Sequence, residues 1–166
     1  MSALLDYLQR LKNQDDRGAL ADLRNGLKET QKYRAWPLLS GFFKKNPDDE
    51  RYRKVIRTVA GLYAYHSQVT QNGNIGQTCR DMMSENERNK MHEAKAMGPI
   101  SRRFQHLLAA SRDEICDRVV RLVLYAKSKE ISVNYEQLQK DLHYWSNRVK
   151  TRWAQSFWIY SSKEEE

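Results

Sequence analysis

Apolar residues recur with the period of an α-helix along almost the whole chain, and no stretch alternates apolar with polar residues as a half-buried strand must. "LLDYLQRL" sets Leu4, Leu5, Leu8 and Leu11 on one face, and Ala19, Leu20, Leu23 and Leu27 repeat the pattern after "NQDDR". Only seven Gly and three Pro interrupt 166 residues, so breaks between helices are few. The expected fold is all-α, with two small helical bundles packed into one elongated unit.

The pattern also places individual helices. In "YRAWPLLSGFF", Pro37 belongs in a first turn or at a kink, because mid-helix it would remove a hydrogen bond. Pro47 and the acids Asp48 to Glu50 mark the start of a helix whose apolar face is Tyr52, Val55, Ile56, Val59 and Tyr63. "QVTQNGNIGQ" reads as a loop, followed by a short helix around Cys79 to Met83. "SENERNKMHEAKAM" has few apolar residues and is either an exposed helix or a mobile connection. Beyond Gly98, one helix carries Phe104, Leu107 and Leu108. The next starts near Ser111 and carries Ile115, Cys116, Val119, Leu122, Val123 and Ala126. Asn134 is positioned to cap "YEQLQKDLHYW", a last helix from Arg148 to Tyr160 buries Val149, Trp153 and Phe157, and "SSKEEE" is expected to fray. The polar run before residue 98 divides the chain into an N-terminal bundle over 1–97 and a C-terminal bundle over 98–166.

Composition restricts function. Lys and Arg outnumber Asp and Glu by 29 to 21, a net charge of +8 that favours an acidic partner. Asp6 and Arg10 interrupt the first apolar pattern and Arg121 interrupts "VVRLVLYA", so neither makes a signal-peptide core or a membrane span, and a cytoplasmic location with no membrane partner is expected. Cys79 and Cys116 stand far apart without paired Cys or His spacing, so they are expected as reduced thiols, with no metal site. His66, His92, His106 and His143 form no ligand motif and read as surface or capping residues. "GNIG" lacks the Lys-Ser/Thr of a phosphate loop, and no nucleophile motif occurs. Neither a catalytic residue nor a cofactor is expected.

The arginines are arranged. "PISRRFQHLLAASRDEICDRVVRLVLYAK" contains five of them against three acids. On a helical projection Arg118, Arg121, Tyr125 and Lys129 share a sector away from Ile115, Val119, Leu122 and Val123. Arg53, Lys54 and Arg57 cluster on the helix that begins near Asp48, and Arg148 and Arg152 stand one turn apart. Pairs such as Glu50 with Lys54 and Asp117 with Arg121 neutralise only part of this charge. Arginine's planar fork suits bidentate contact with phosphate, and the apolar faces are needed for the core rather than for a bilayer surface. Trp36, Trp145, Trp153 and Trp158 have ring faces that stack well on bases, but Trp153 and Phe157 lie in an apolar stripe and read as core.

"RGALADLRNGL", "AWPLL", "SRRFQHLLAASRDEICDRVVRLV", "VNYEQLQKDLHYW" and "RWAQSFW", in this order between about residues 17 and 158, resemble the small-subunit (CasB) family of the type I-E CRISPR Cascade complex. Asn25 stands where the family often has a second arginine, and Asn134-Tyr135 where it often has Asp-Trp. The resemblance implies a non-catalytic, all-helical subunit of an RNA-guided antiviral complex, present beside a second copy of itself. The implied partners are the guide CRISPR RNA, the target and displaced DNA strands, and the backbone and large subunits. It implies DNA and RNA binding that stabilises the opened target DNA. Arg17, Arg24, Arg102, Arg103 and Arg112 are the phosphate contacts it points to. Arg121 follows from both the motif and the projection, and Arg118, Lys129, Arg53, Arg57 and Arg152 follow from projection, Arg152 from its place on the last helix. The competing readings are a basic helical DNA-binding regulator, which should carry a short recognition helix after a tight turn, and a protein assembly adaptor with no need of nucleic acid. A nuclease would need clustered carboxylates, whereas these acids are dispersed or sit at helix starts.

Overall fold

The computed structural model describes residues 2–93, 95 and 97–159. Tyr160 and "SSKEEE" lie outside the described residues, as do Ala94 and Ala96 of the polar run. The regular elements among the described residues are all helical, with no strand; a single parallel bridge joins Val69 and Val133. The chain separates into two compact units, Met1–Ser67 and Gln68–Glu166.

The N-terminal unit is built from α1 (Ala3–Asn13), α2 (Arg17–Asn25), a short α3 (Trp36–Leu39) between 3-10 turns, and α4 (Glu50–Tyr65). Each longer helix has a side-chain cap on an otherwise orphaned N–H: Ser2 Oγ accepts from Leu5, Asp16 from Ala19 and Asp49 from Tyr52. Pro37 occupies the first turn of α3, where its missing N–H removes no helical bond. The unbroken run Val55–Tyr63 of α4 is buried, well beyond the single apolar face that periodicity indicated. Helix α2 lies against α4. Gly61 permits that approach, because a β-carbon there would stand 2.5 Å from Leu27 Cγ and 2.9 Å from the Leu23 carbonyl oxygen.

The C-terminal unit contains α5 (Ile75–Met82), α6 (Glu85–Lys90), α7 (Pro99–Leu108), α8 (Ile115–Ser128), α9 (Tyr135–His143) and α10 (Asn147–Ala154), which runs on into a π-helical turn, Gln155–Ile159. Its centre is aromatic. Phe104 and Phe157 have ring centres 4.4 Å apart, and Trp145 and Trp153 4.8 Å apart. Both buried indoles are satisfied: Trp145 Nε1 donates to the Ala110 carbonyl at 2.9 Å, and Trp153 Nε1 to Asp141 Oδ2 at 2.7 Å. Asn134 Oδ1 caps α9 by accepting from the Gln137 N–H at 3.1 Å, as its position in sequence indicated.

The boundary between the two compact units falls at residue 67/68, and 68–97 lies in the second of them with the C-terminal helices. The reason lies in α5, whose Ile75, Cys79 and Met82 are buried and which packs on α7, α10 and the π-helical turn. Flanking Gln, Asn and Gly residues mask this anchor in the sequence. The following polar run is equally purposeful. Glu87, 8% exposed on α6, accepts the N–H groups of Ile100 at 2.7 Å and Ser101 at 3.3 Å, and so caps α7 from another helix. Gly98 leaves room for that carboxylate, which a β-carbon would strike. Replacing Glu87 with Ala leaves buried donors orphaned and is expected to lower unfolding stability by about 1–3 kcal/mol in denaturant titration.

Candidate nucleic-acid interface

In the N-terminal unit the selected cations have different fates. Arg17 is exposed at the start of α2 and pairs with Asp15 at 3.3 Å. Arg24 is half-buried, donates to the Ala64 carbonyl at 3.3 Å and lies 5.9 Å from the ring centre of Tyr65. Arg53 donates to the Pro47 carbonyl and covers the Trp36 ring at 5.5 Å. Arg57 is only 6% exposed; its guanidinium donates to the Gly26 carbonyl at 2.9 Å and to Glu29 at 3.4 Å. It ties α4 to the end of α2 from inside, and helical projection could not foresee this because it does not know that α4 is enclosed.

The C-terminal unit gathers charge more tightly. Helices α7 and α8 pack together and leave a cavity of about 170 Å³ lined by Arg103, His106, Leu107, Arg118, Arg121 and Leu122. The two leucines are buried, at 1% and 4% exposed, while Arg103, His106 and Arg121 are exposed. Arg118 is half-buried and held from two sides, donating to the His106 carbonyl at 2.6 Å and to Glu114 at 3.1 Å. The Arg103 guanidinium lies 4.4 Å from the ring centre of Tyr125, and Lys129 Nζ 5.4 Å from the same ring. Arg103, Tyr125 and Lys129 thus form a cation–aromatic–cation row beside the cavity. Of the sector that projection indicated, Arg118 and Arg121 line the cavity, Tyr125 and the C-capping Lys129 stand in the adjoining row, and α7 adds Arg103 as a fourth cation.

Other selected arginines are placed elsewhere in this unit. Arg102 is exposed on α7, and Arg152 is exposed on α10. Arg112, in the turn before α8, donates to the Trp145 carbonyl at 3.2 Å. The sequence reading singled out neither Arg80 nor Arg88, which share a broader polar cleft of about 900 Å³ with Asp81 and Glu130. Two acids against two arginines leave that cleft without the cationic excess a polyanion needs. His106, read as a surface or capping residue, is exposed and also lines the cationic cavity.

One acid restrains the cluster. The Ser111 backbone N–H, and then the Arg118 charge beside it, hold the Glu114 carboxyl below the ordinary carboxylate value. With the folded value lowered, this contribution to stability is complete above the unfolded value and is lost as pH falls through the folded one. Glu114 also neutralises part of Arg118. Glu114→Gln keeps an acceptor for the Ser111 N–H and removes the charge, so affinity for single-stranded DNA is expected to rise by about two- to threefold in fluorescence anisotropy at fixed salt.

The site contains no concentration of metal-ligating groups, and no cluster of three or more His, Cys, Asp or Glu that could hold an ion occurs among the described residues. Neither Cys79 nor Cys116 takes part in a disulfide among the described residues, both are buried, and burial pushes the Cys79 thiol far above its ordinary value. No helix among the described residues is long and apolar enough to cross a membrane.

Comparison with known proteins agrees with this architecture. CasB from Thermus thermophilus is 25% identical, with a TM-score of 0.74 over 95% of this chain and 99% of that one. M. ruber CasB is 23% identical, with a TM-score of 0.71 over 99% and 97%. A chain of a CRISPR RNA-guided surveillance complex is 19% identical, with a TM-score of 0.70 over 99% and 96%; at these last two identities the likeness is one of fold. No curated protein matches the chain. The family model of CRISPR-associated protein Cse2 matches residues 19–158, and with the helical fold the sequence resemblance implied, the chain belongs to the Cse2 family.

Proposed function

We propose that the chain is the non-catalytic small subunit of a type I-E CRISPR Cascade complex and stabilises opened target DNA through its basic helical surfaces. It would work in the cytoplasm beside a second copy of itself and the backbone and large subunits. The polyanions it would hold are the target strand paired to the guide RNA and the displaced strand. The observation that carries this reading is the convergence of Arg103, Arg118 and Arg121 from two helices on one cavity rim, beside the Arg103–Tyr125–Lys129 row. Exchange of a DNA duplex for an RNA–DNA hybrid is nearly balanced in energy, so a few phosphate contacts are enough to tip it. Sequence selection then belongs to the guide, and the protein needs charge, spacing and order.

The contacts fall into groups. Arg102, Arg103, Arg121 and Lys129 are the principal phosphate contacts of the C-terminal unit, supported by the pre-ordered Arg118, with Arg112 and Arg152 on neighbouring elements. Arg17, Arg24 and Arg53 serve the N-terminal unit. Arg57 contributes by bracing α4. The test is to purify the complex with guide RNA in the presence and absence of this chain and measure permanganate reactivity of displaced-strand thymines. Reactivity is expected to fall by about tenfold or more without it. Equal opening in both preparations would overturn the reading. A pure assembly adaptor would instead give an isolated chain with no salt-dependent DNA affinity.

A further inference from the structure

We propose that the cavity between α7 and α8 seats one unpaired nucleobase, so that this face selects single-stranded over duplex nucleic acid. The inference rests on the phosphate-holding reading above and adds to it a place for the base. Phosphate recognition requires cations at a surface, and neither a depression nor an apolar floor is of use to it. Here the cations surround a hollow whose floor is Leu107 and Leu122. Two buried leucines beneath three arginines suit a ligand with a flat apolar face next to a negative charge, and a nucleotide has that combination.

Size and order agree. At about 170 Å³ the hollow is well below the roughly 300–1,000 Å³ typical of drug-sized sites, so it suits one flat ring and excludes a folded segment of protein. Two of its walls are already fixed. Arg103 lies against Tyr125 at 4.4 Å, and Arg118 is held by the His106 carbonyl and Glu114, so little side-chain freedom is lost on binding. A guanidinium plane is itself a stacking surface for a base. Arg121, exposed on the rim, is placed to meet the adjoining phosphate. In a duplex each base is covered by its neighbours, and only an unpaired strand can turn one outward at low cost.

The test compares three probes of equal length against the full chain by fluorescence anisotropy at one salt concentration: oligothymidylate, an abasic deoxyribose-phosphate oligomer, and an oligo(dA)·oligo(dT) duplex. Oligothymidylate is expected to bind about tenfold more tightly than either of the others. Leu122→Phe narrows the hollow without changing any charge, and should abolish that preference. Because Leu122 is buried, a second measurement uses the unaltered chain: photocrosslinking of an oligothymidylate carrying one 5-iodouracil is expected in the α7 peptide that contains His106. Equal affinity for oligothymidylate and the abasic oligomer, or crosslinks confined to elements other than α7 and α8, would overturn the base seat. Failure of every probe to bind in a salt-dependent way would instead overturn the phosphate-holding reading beneath it.

Discussion

Arg103→Glu combined with Arg121→Glu is expected to lower retention of opened DNA by the reconstituted complex about a hundredfold, since each lost charge-assisted contact contributes on the order of tenfold. The slope of log affinity against log salt should fall by about 1.5, the value for two phosphates no longer neutralised. Unfolding stability should fall by no more than about 1 kcal/mol, the contribution of the Arg103–Tyr125 contact, because both arginines are exposed and the cavity's buried Leu107 and Leu122 are left in place. The combination of outcomes is what discriminates. A drop in retention accompanied by a larger loss of stability would assign these arginines to the scaffold, and unchanged retention would remove this rim from the nucleic-acid path. Arg102→Glu, exposed on the same helix without lining the cavity, should by itself lower retention by about tenfold, as one phosphate contact outside the cavity.

The helices and most of the core are legible in the sequence because one-dimensional periodicity reports directly which residues of a helix face inward. Leu4, Leu8, Val119, Val123, Val149, Trp153 and Phe157 are all buried where the pattern puts them. Legibility fails where the decisive partner comes from another helix. Arg57 is indistinguishable from Arg53 on projection, yet one is enclosed against Gly26 and the other lies over Trp36. Glu87 sits in a run that reads as polar surface, and its work is to cap α7, which begins more than ten residues later. Arg103 looks equivalent to Arg102 until the packing of α7 on α8 turns it onto Tyr125. The pairing Arg118–Glu114 has helical spacing and was within reach of sequence reasoning, but the start of α8 at Ile115, not near Ser111, changes which acids flank it. The polar composition of 68–97 conceals the buried apolar Ile75, Cys79 and Met82 of α5, and with them the compact unit to which the segment belongs.

Trp153→Ala is expected to destabilise the C-terminal unit by about 3–5 kcal/mol, the usual range for deleting a large buried aromatic. The ring is wholly enclosed, stands 4.8 Å from Trp145 and donates its N–H to Asp141, which is itself buried. The substitution opens a void and also removes a donor from the Asp141 carboxylate, so the effect should lie toward the upper end of the range, and the melting temperature should fall by roughly 10 °C or more. Trp153→Phe refills much of the space but leaves Asp141 without that donor; a loss of about 1–3 kcal/mol in this variant would isolate the hydrogen bond from the packing. The adjacent residue supplies the contrast. Arg152→Ala alters an exposed side chain on the same helix and should leave the melting temperature in place while lowering DNA affinity modestly, by about two- to fivefold at fixed salt. If Trp153 served nucleic acid by stacking, its replacement would weaken binding in a chain that still melts normally. A buried ring has no face to offer a base, so the loss should appear in unfolding measured without any nucleic acid present.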